Sequence, residues 1–387
     1  MRRGLAIFIV ALCILAAFLA EIPGLVDEHE NKVLVKPPYS ASDKAFALHS
    51  QLTIVDLHAD SLLWGRDLLE RDTDGHVDIP RLSDGNVSLQ IFSLPTKSPW
   101  GLNIERNDDK SDTIFWLALV DRWPPVTWNS LTQRALYQAR RLHRFAKGSR
   151  GGFSVIESAA DLSNYLARRA HNPHLTAGLL SIEGAHALDG KLENLDALYG
   201  AGYRMMSPSH FFDTDIGGSA AGVGKIGLTE KGREWVREME QRHMIIDLAH
   251  ASPRTIDDVL AVATRPVVVS HTGVKGTCNN NRNLSDDQIR AIGAKGGLIG
   301  IGYWDTATCG TDAKAIVRAM RYTANFAGAE HVALGSDFDG AVTEPFDTTG
   351  LVKITEAMQE AGFTEAEIHM IMGENAVKFL RENLPER

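Results

Sequence analysis

Eight short apolar runs recur along the chain and constrain its fold more than any other feature. They are Thr53–Leu57, Ser88–Leu94, Ala177–Ile182, Tyr203–Ser207, Met244–Leu248, Pro266–Ser270, Gly297–Gly302 and His331–Gly335. Most are bounded by Gly, Pro or polar residues, and their length fits β-strands. Several are nearly continuous, as parallel strands buried on both faces require. Helix signals lie between them. Ser252-Pro253 is an N-cap followed by proline at the first helical position. Ser285-Asp286-Asp287 is a cap with an acidic first turn, and Gly293 and Gly296-Gly297 end that helix. Eight strands alternating with helices predict an α/β protein, a (β/α)8 TIM barrel with an insertion after strand two. A doubly wound open sheet uses similar elements and is the alternative.

The residues that end the runs carry the chemistry. Strand one runs out in His58-Ala59-Asp60, strand three in Glu183, strand five in His250, strand six in His271 and strand eight in Asp337, while strand four leads to His210. On a regular strand His58 and Asp60 share a face. Each residue alone reads as a satisfied structural group or a helix cap. Their recurrence at one level is different, because barrel active sites are assembled from the C-terminal ends of several strands. Three imidazoles and two carboxylates (His58, Asp60, Glu183, His250, His271) suit Zn²⁺ and exceed what one tetrahedral ion with an open position needs. Two ions sharing one carboxylate would use all five. Such a pair lowers the pKa of a shared water, so no activated Ser or Cys is required.

The rest of the chain bounds this reading. With 387 residues, 44% of them hydrophobic, there is material for one large domain or two smaller ones. A net charge of −9 without a basic stripe argues against a nucleic-acid partner. Arg2-Arg3 precede the uncharged run Gly4–Ala20. Residues 1–22 therefore read as a signal anchor or a signal peptide that exports the body and leaves it membrane-anchored or secreted. Residues 23–45, with Pro37-Pro38, read as a linker, and residues 46–387 as the barrel domain. Cys278 and Cys309 are the only cysteines of the exported body, where a single pair invites a disulfide; two unrelated buried thiols are the other reading. The long connection from Pro95 to Thr176 either walls a pocket or forms a remote packing layer. Gly222-Val-Gly224-Lys-Ile-Gly227 matches G-x-G-x-x-G but does not open a helix directly, which argues against a dinucleotide site and for a mobile loop near the chemistry.

Together the motifs Asp56-Leu-His-Ala-Asp60, Ser181-Ile-Glu-Gly184, Ile246-Asp-Leu-Ala-His250, Ser270-His271, Arg282-Asn283-Leu-Ser-Asp-Asp287 and Gly335-Ser-Asp-Phe-Asp-Gly340 resemble the membrane (renal) dipeptidase family of metal-dependent amidohydrolases, from about residue 45 onward. The resemblance implies a zinc dipeptidase acting on L-Xaa-L/D-Xaa substrates through a metal-bridging hydroxide. It implies two zinc ions: His58 and Asp60 on one, His250 and His271 on the other, and Glu183 bridging. Asp337 would be general base and then acid, His210 would polarise the scissile carbonyl, and Arg282 would pair with the substrate's terminal carboxylate. It further implies a Cys278–Cys309 disulfide and a homodimer. Asp339 is expected to be a structural acceptor. The rival readings are a related binuclear hydrolase of another acyl-amide or lactone, and a catalytically dead surface-binding relative.

Overall fold

The computed structural model describes residues 21–387. The expected signal segment falls largely outside them. Among the described residues no helix is long and apolar enough to cross a membrane.

All eight apolar runs form strands. In chain order the structure has β1 (Lys32–Val33), β2 (Ile54–Ala59), β3 (Val87–Phe92), β4 (Phe153–Val155), β5 (Thr176–Ile182), β6 (Tyr203–Met206), β7 (Ile245–Ile246), β8 (Val268–Thr272), β9 (Leu298–Ile301), β10 (Val332–Leu334) and β11 (Thr343–Glu344). The parallel order is β7-β6-β5-β3-β2-β10-β9-β8, with β4 added onto β5. A parallel bridge from Asp247 to Val268 joins the two ends. That closure makes a barrel and excludes the open sheet. One cluster draws Val55, Leu89, Ala177, Met205, Ile245, Val268, Leu298 and Ala333 from all eight strands. It is the filling of the barrel, a packed core rather than a pore. A second cluster seats the other strand faces, such as Ile54 and Leu180, against helix residues Trp235, Ile316 and Met320.

The helix starts follow the local signals. Ser252 Oγ accepts from Thr255 N at the head of Pro253–Val262. Ser285 and Gln288 form a reciprocal capping box on Asp286–Ala294. The insertion plays both roles considered for it. Residues 95–112 cross the barrel mouth: Pro95 bridges to Glu183, and Asn107 pairs with the loop at Gly222. The helix Leu131–Gly148 is instead a packing layer, held by buried Arg134 on Asp112 at 2.6 Å.

Two expectations change. The polar stretch read as a linker is built into the body. β1 pairs with β11 in parallel, Tyr39 packs edge-on against Phe346, and Asp27 accepts from Arg66 Nε at 2.7 Å. Polar composition suggested a tether, but these polar groups are satisfied by partners far along the chain. The glycine-rich loop also differs from expectation. It wraps Asp213, whose carboxylate accepts from Ser219, Gly224 and Lys225 N–H at 2.9, 2.6 and 3.3 Å. A Cβ at Gly222 would lie 2.1 Å from that carboxylate, so the glycine serves an internal anion and the loop is pinned. The helix begins only at Glu230.

His49 gives the fold a pH dependence remote from the barrel mouth. It is 7% exposed and lies 2.8 Å from Thr355 Oγ1 and 3.3 Å from the Gly85 carbonyl. Burial lowers its pKa to about 4, against a smaller opposing pull from the Gly85 carbonyl. The unfolded chain, with His near 6.5, therefore binds this proton first as pH falls. Stability is full above about pH 6.5 and declines by about 1.4 kcal/mol per pH unit toward pH 4. Denaturant titrations at pH 7.5 and 5.0 should show His49→Asn losing about 2 kcal/mol less than the parent over that span. Equal losses would exclude His49 as a source.

Candidate metal centre and active site

Every expected site residue reaches the C-terminal mouth of the barrel. The backbone bends to bring them there. The β2–β3 register shifts between Asp56 and Ala59, bracketing His58, and the β8–β9 register shifts between Val269 and Thr272, bracketing His271. Such irregularities re-aim side chains beside active sites. His58 and Asp60 thus meet across an irregularity rather than by simple alternation. His250 and Asp337 hold left-handed φ values of 63° and 70°. That conformation costs a non-glycine residue roughly 1–3 kcal/mol and persists only where packing imposes it.

Glu183 is the centre of the constellation. Its Oε1 lies 3.5 Å from His58 Nε2 and 3.3 Å from both His250 Nε2 and His271 Nε2. Its Oε2 lies 3.2 Å from His210 Nε2. His58 Nε2 is also 3.5 Å from Asp60 Oδ2 and 3.7 Å from Asp337 Oδ1. Three overlapping sets have ligand atoms within 4.8 Å of one another: His58, Glu183 and His271; Glu183, His210 and His250; His58, Asp60 and Asp337. Among the described residues, His58 Nε2, Asp60 Oδ1 and Glu183 Oε1 are buried without a hydrogen-bond partner. Buried polar atoms are seldom left so, and three within one cluster of imidazoles and carboxylates fit a metal site. The donor set of imidazole and carboxylate fits Zn²⁺.

The electrostatics agree. Burial lowers His250, His271 and His210 well below the ordinary imidazole value, which keeps them neutral and ligand-competent. Burial acts the same way on His58, but the carboxylates of Glu183, Asp60 and Asp337 override it and push that ring up to about 10. Burial, reinforced by Asp60 and Asp337, raises Glu183 well above its usual value against the pull of His58. The pocket attracts positive charge, which protons supply when no cation is bound. Burial likewise raises Asp337 to about 7, with His58 pulling down, Asp60 pushing up and Arg282 pulling down.

Arg282 lies in the same mouth, 7% exposed. Its Nη2 donates to the His271 carbonyl at 2.9 Å, and its guanidinium sits 5.8 Å from the Trp304 ring. It does not pair with the neighbouring acids: Asp287 binds Arg290 and Asp286 accepts from Tyr322. Cys278 and Cys309 are joined, with Cα atoms 5.2 Å apart. Closing a loop over this 31-residue separation stabilises the fold by about 3–4 kcal/mol in the chain-entropy account. The bond also anchors the segment that carries Arg282. Asp339 is structural: it accepts from Ser61, His76 N and Arg66.

The sequence and the architecture have known counterparts. The sequence profile of the membrane dipeptidase family, peptidase family M19, matches residues 42–385. The chain belongs to that family. It is by that membership a metal-dependent dipeptidase, a hydrolase of peptide bonds. Among curated relatives, the dipeptidase tcpJ of Claviceps purpurea is 28% identical over 323 residues, covering 81% of this chain and 70% of the relative. An uncharacterised protein of Klebsiella pneumoniae, encoded 5′ of pqqA, is 30% identical over 248 residues, 60% of this chain and 90% of its own length. The fold matches that of the family M19 metallopeptidase dipeptidase AC, with a TM-score of 0.72 and 24% identity over 87% of this chain and 99% of that one. It also matches a Rhodobacter sphaeroides metallopeptidase bound to a phosphinate mimic of L-Ala-D-Ala, with a TM-score of 0.71 and 24% identity over 86% of this chain and 99% of that one.

The site contains residues that the strand-end pattern did not single out. Asp56 lies beneath it and accepts from His58 N, Gln90 Nε2 and Ser336 Oγ at 3.0, 3.0 and 2.9 Å. Asp247 and Ser270 stand behind the imidazoles. The signal was available: a polar residue inside a strand buried on both faces must be hydrogen-bonded to something.

Proposed function

We propose that the chain is an exported zinc dipeptidase holding two ions, with Glu183 between them. The observation that carries this reading is the convergence of four imidazoles on Glu183, with Asp60 and Asp337 joined to the same cluster through His58. His58 and Asp60 would hold one ion, and His250 and His271 the other. When bound, the ions supply Lewis acidity and draw a nucleophile from water at neutral pH. Asp337 takes the proton from the attacking water and passes it to the leaving amine. His210 polarises the scissile carbonyl and steadies the oxyanion. Arg282 receives the substrate's terminal carboxylate.

The substrate is a dipeptide with a free C-terminus. The phosphinate ligand of the Rhodobacter relative, which mimics L-Ala-D-Ala, supports acceptance of a D-residue in second position. The disulfide supports an oxidising, extracytoplasmic location. The uncharged N-terminal run supplies the export signal or membrane tether. A homodimer completes the proposal.

The test uses the full chain, metal-stripped and then reloaded with Zn²⁺. Free-carboxylate dipeptides, including L-Xaa-D-Ala, should be hydrolysed only after reloading, and C-terminally amidated controls far more slowly. Arg282→Ala should lower kcat/KM for the free-carboxylate substrates by about 10–100-fold, the loss of a charged hydrogen bond, and leave the amidated controls nearly unchanged. Equal losses on both would remove Arg282 from carboxylate recognition. A zinc-loaded protein that cleaves neither class would point to another acyl substrate.

A further inference from the structure

The hydroxyl of Ser270 touches two imidazoles at once. It lies 3.2 Å from His58 Nδ1 and 2.9 Å from His271 Nδ1. It donates to Asp247 Oδ2 at 2.6 Å. The other oxygen, Asp247 Oδ1, is committed elsewhere, accepting from Ser270 N at 2.9 Å and Ala249 N at 3.0 Å. Ser270 and Asp247 are fully buried, and no solvent competes for these contacts.

A hydroxyl has one proton and two acceptor lone pairs. With its proton on Asp247, both lone pairs of Ser270 are free for ring N–H groups. His58 and His271 must then each carry hydrogen on Nδ1. That leaves the Nε2 of each ring on the Glu183 side, as a lone pair on neutral His271 and, once a metal displaces its second proton, on His58. The two rings come from different strands, β2 and β8, and under the proposed function they serve different ions.

We infer that Asp247 and Ser270 form a single positioning pair that sets the tautomer and orientation of one histidine ligand on each of the two metal ions. The inference rests on the proposed metal reading for its consequence but not for its hydrogen-bond logic. Neither residue touches substrate. Partners of this kind commonly change metal affinity by 10–100-fold when removed.

Two variants act differently under this account. Ser270→Ala removes the shared acceptor and should weaken both zinc equivalents. Asp247→Asn is nearly isosteric. Its amide oxygen stays on the two backbone N–H groups, so its NH₂ faces Ser270 and becomes a donor. Ser270 must then turn its own proton toward one ring, which forces that ring's hydrogen onto Nε2 and spoils one ligand. Asp247→Asn should therefore weaken one zinc equivalent more than the other.

The experiment titrates the metal-stripped full chain with Zn²⁺ against a competing chelator, and records ¹⁵N–¹H spectra of the histidine side chains before and after loading. The expected result is a 10–100-fold loss for both equivalents in Ser270→Ala and for mainly one in Asp247→Asn. In the metal-free parent, the neutral His271 ring should bear its proton on Nδ1. Unchanged affinities in Ser270→Ala, or a His271 proton on Nε2, would overturn the pair's role. A parent protein that binds no zinc would instead overturn the metal reading, and the His271 tautomer would still decide the hydrogen-bond assignment.

Discussion

Asp337→Asn should reduce kcat by about 10²–10⁴-fold while leaving zinc binding intact, the range that a positioned proton-transfer group contributes. The carboxyl lies just beyond β10, is held at a left-handed φ of 70°, and stands 3.7 Å from His58 Nε2. The amide keeps that geometry but cannot shuttle a proton. KM should move far less than kcat, because the lost interaction belongs to the transition state. Metal content measured on the same preparation separates a lost base from a lost ion. A variant with near-normal kcat would transfer the proton role to another group. A variant without metal would show that Asp337 is chiefly a ligand.

Arg66→Ala should destabilise the fold by about 3–5 kcal/mol, the usual cost of removing one partner from a buried ion pair. Arg66 Nη2 lies 2.8 Å from Asp339 Oδ1 and its Nε 2.7 Å from Asp27 Oδ2. Burial alone would raise Asp339, yet Arg66 and His76 hold it well below the usual carboxylate range. Removing the guanidinium leaves two buried acids facing each other. Asp339 lies two residues beyond Asp337, so the same network steadies the turn that carries Asp337. It also reaches the N-terminal segment: Asn31 Nδ2 donates to Asp27 at 2.7 Å, and Ala341 N donates to Asn31 at 2.9 Å. Denaturant unfolding of the parent and the variant measures the effect. A loss below about 1 kcal/mol, the scale of an exposed pair, would show that the network is not essential to the fold.

The strand-and-helix rhythm and the polar residue at each strand end were legible because both are local patterns. Periodicity, caps and turn residues act over a few positions. They identified the eight barrel strands, the capped helices at Ser252 and Ser285, and the residues of the mouth. What escaped depends on contacts between distant positions. Asp27 meets Arg66 across the molecule, and a polar stretch around it looks like a tether until its partners are known. Asp247 and Ser270 sit 23 residues apart, and only the folded barrel places one hydroxyl against His58 and His271 together. The bracketing register shifts at His58 and His271 are likewise invisible in a run of apolar letters. The glycine-rich loop was read as mobile for the same reason: the carboxylate that pins it, Asp213, is an internal partner no local pattern announces.

Metal stoichiometry tests the proposed two-metal centre bridged by Glu183 most directly. Zinc titration of the stripped full chain should saturate at two ions per chain, and Glu183→Gln should weaken both equivalents together. Saturation at one ion per chain, or a Glu183→Gln variant that holds two ions as tightly as the parent, would contradict it.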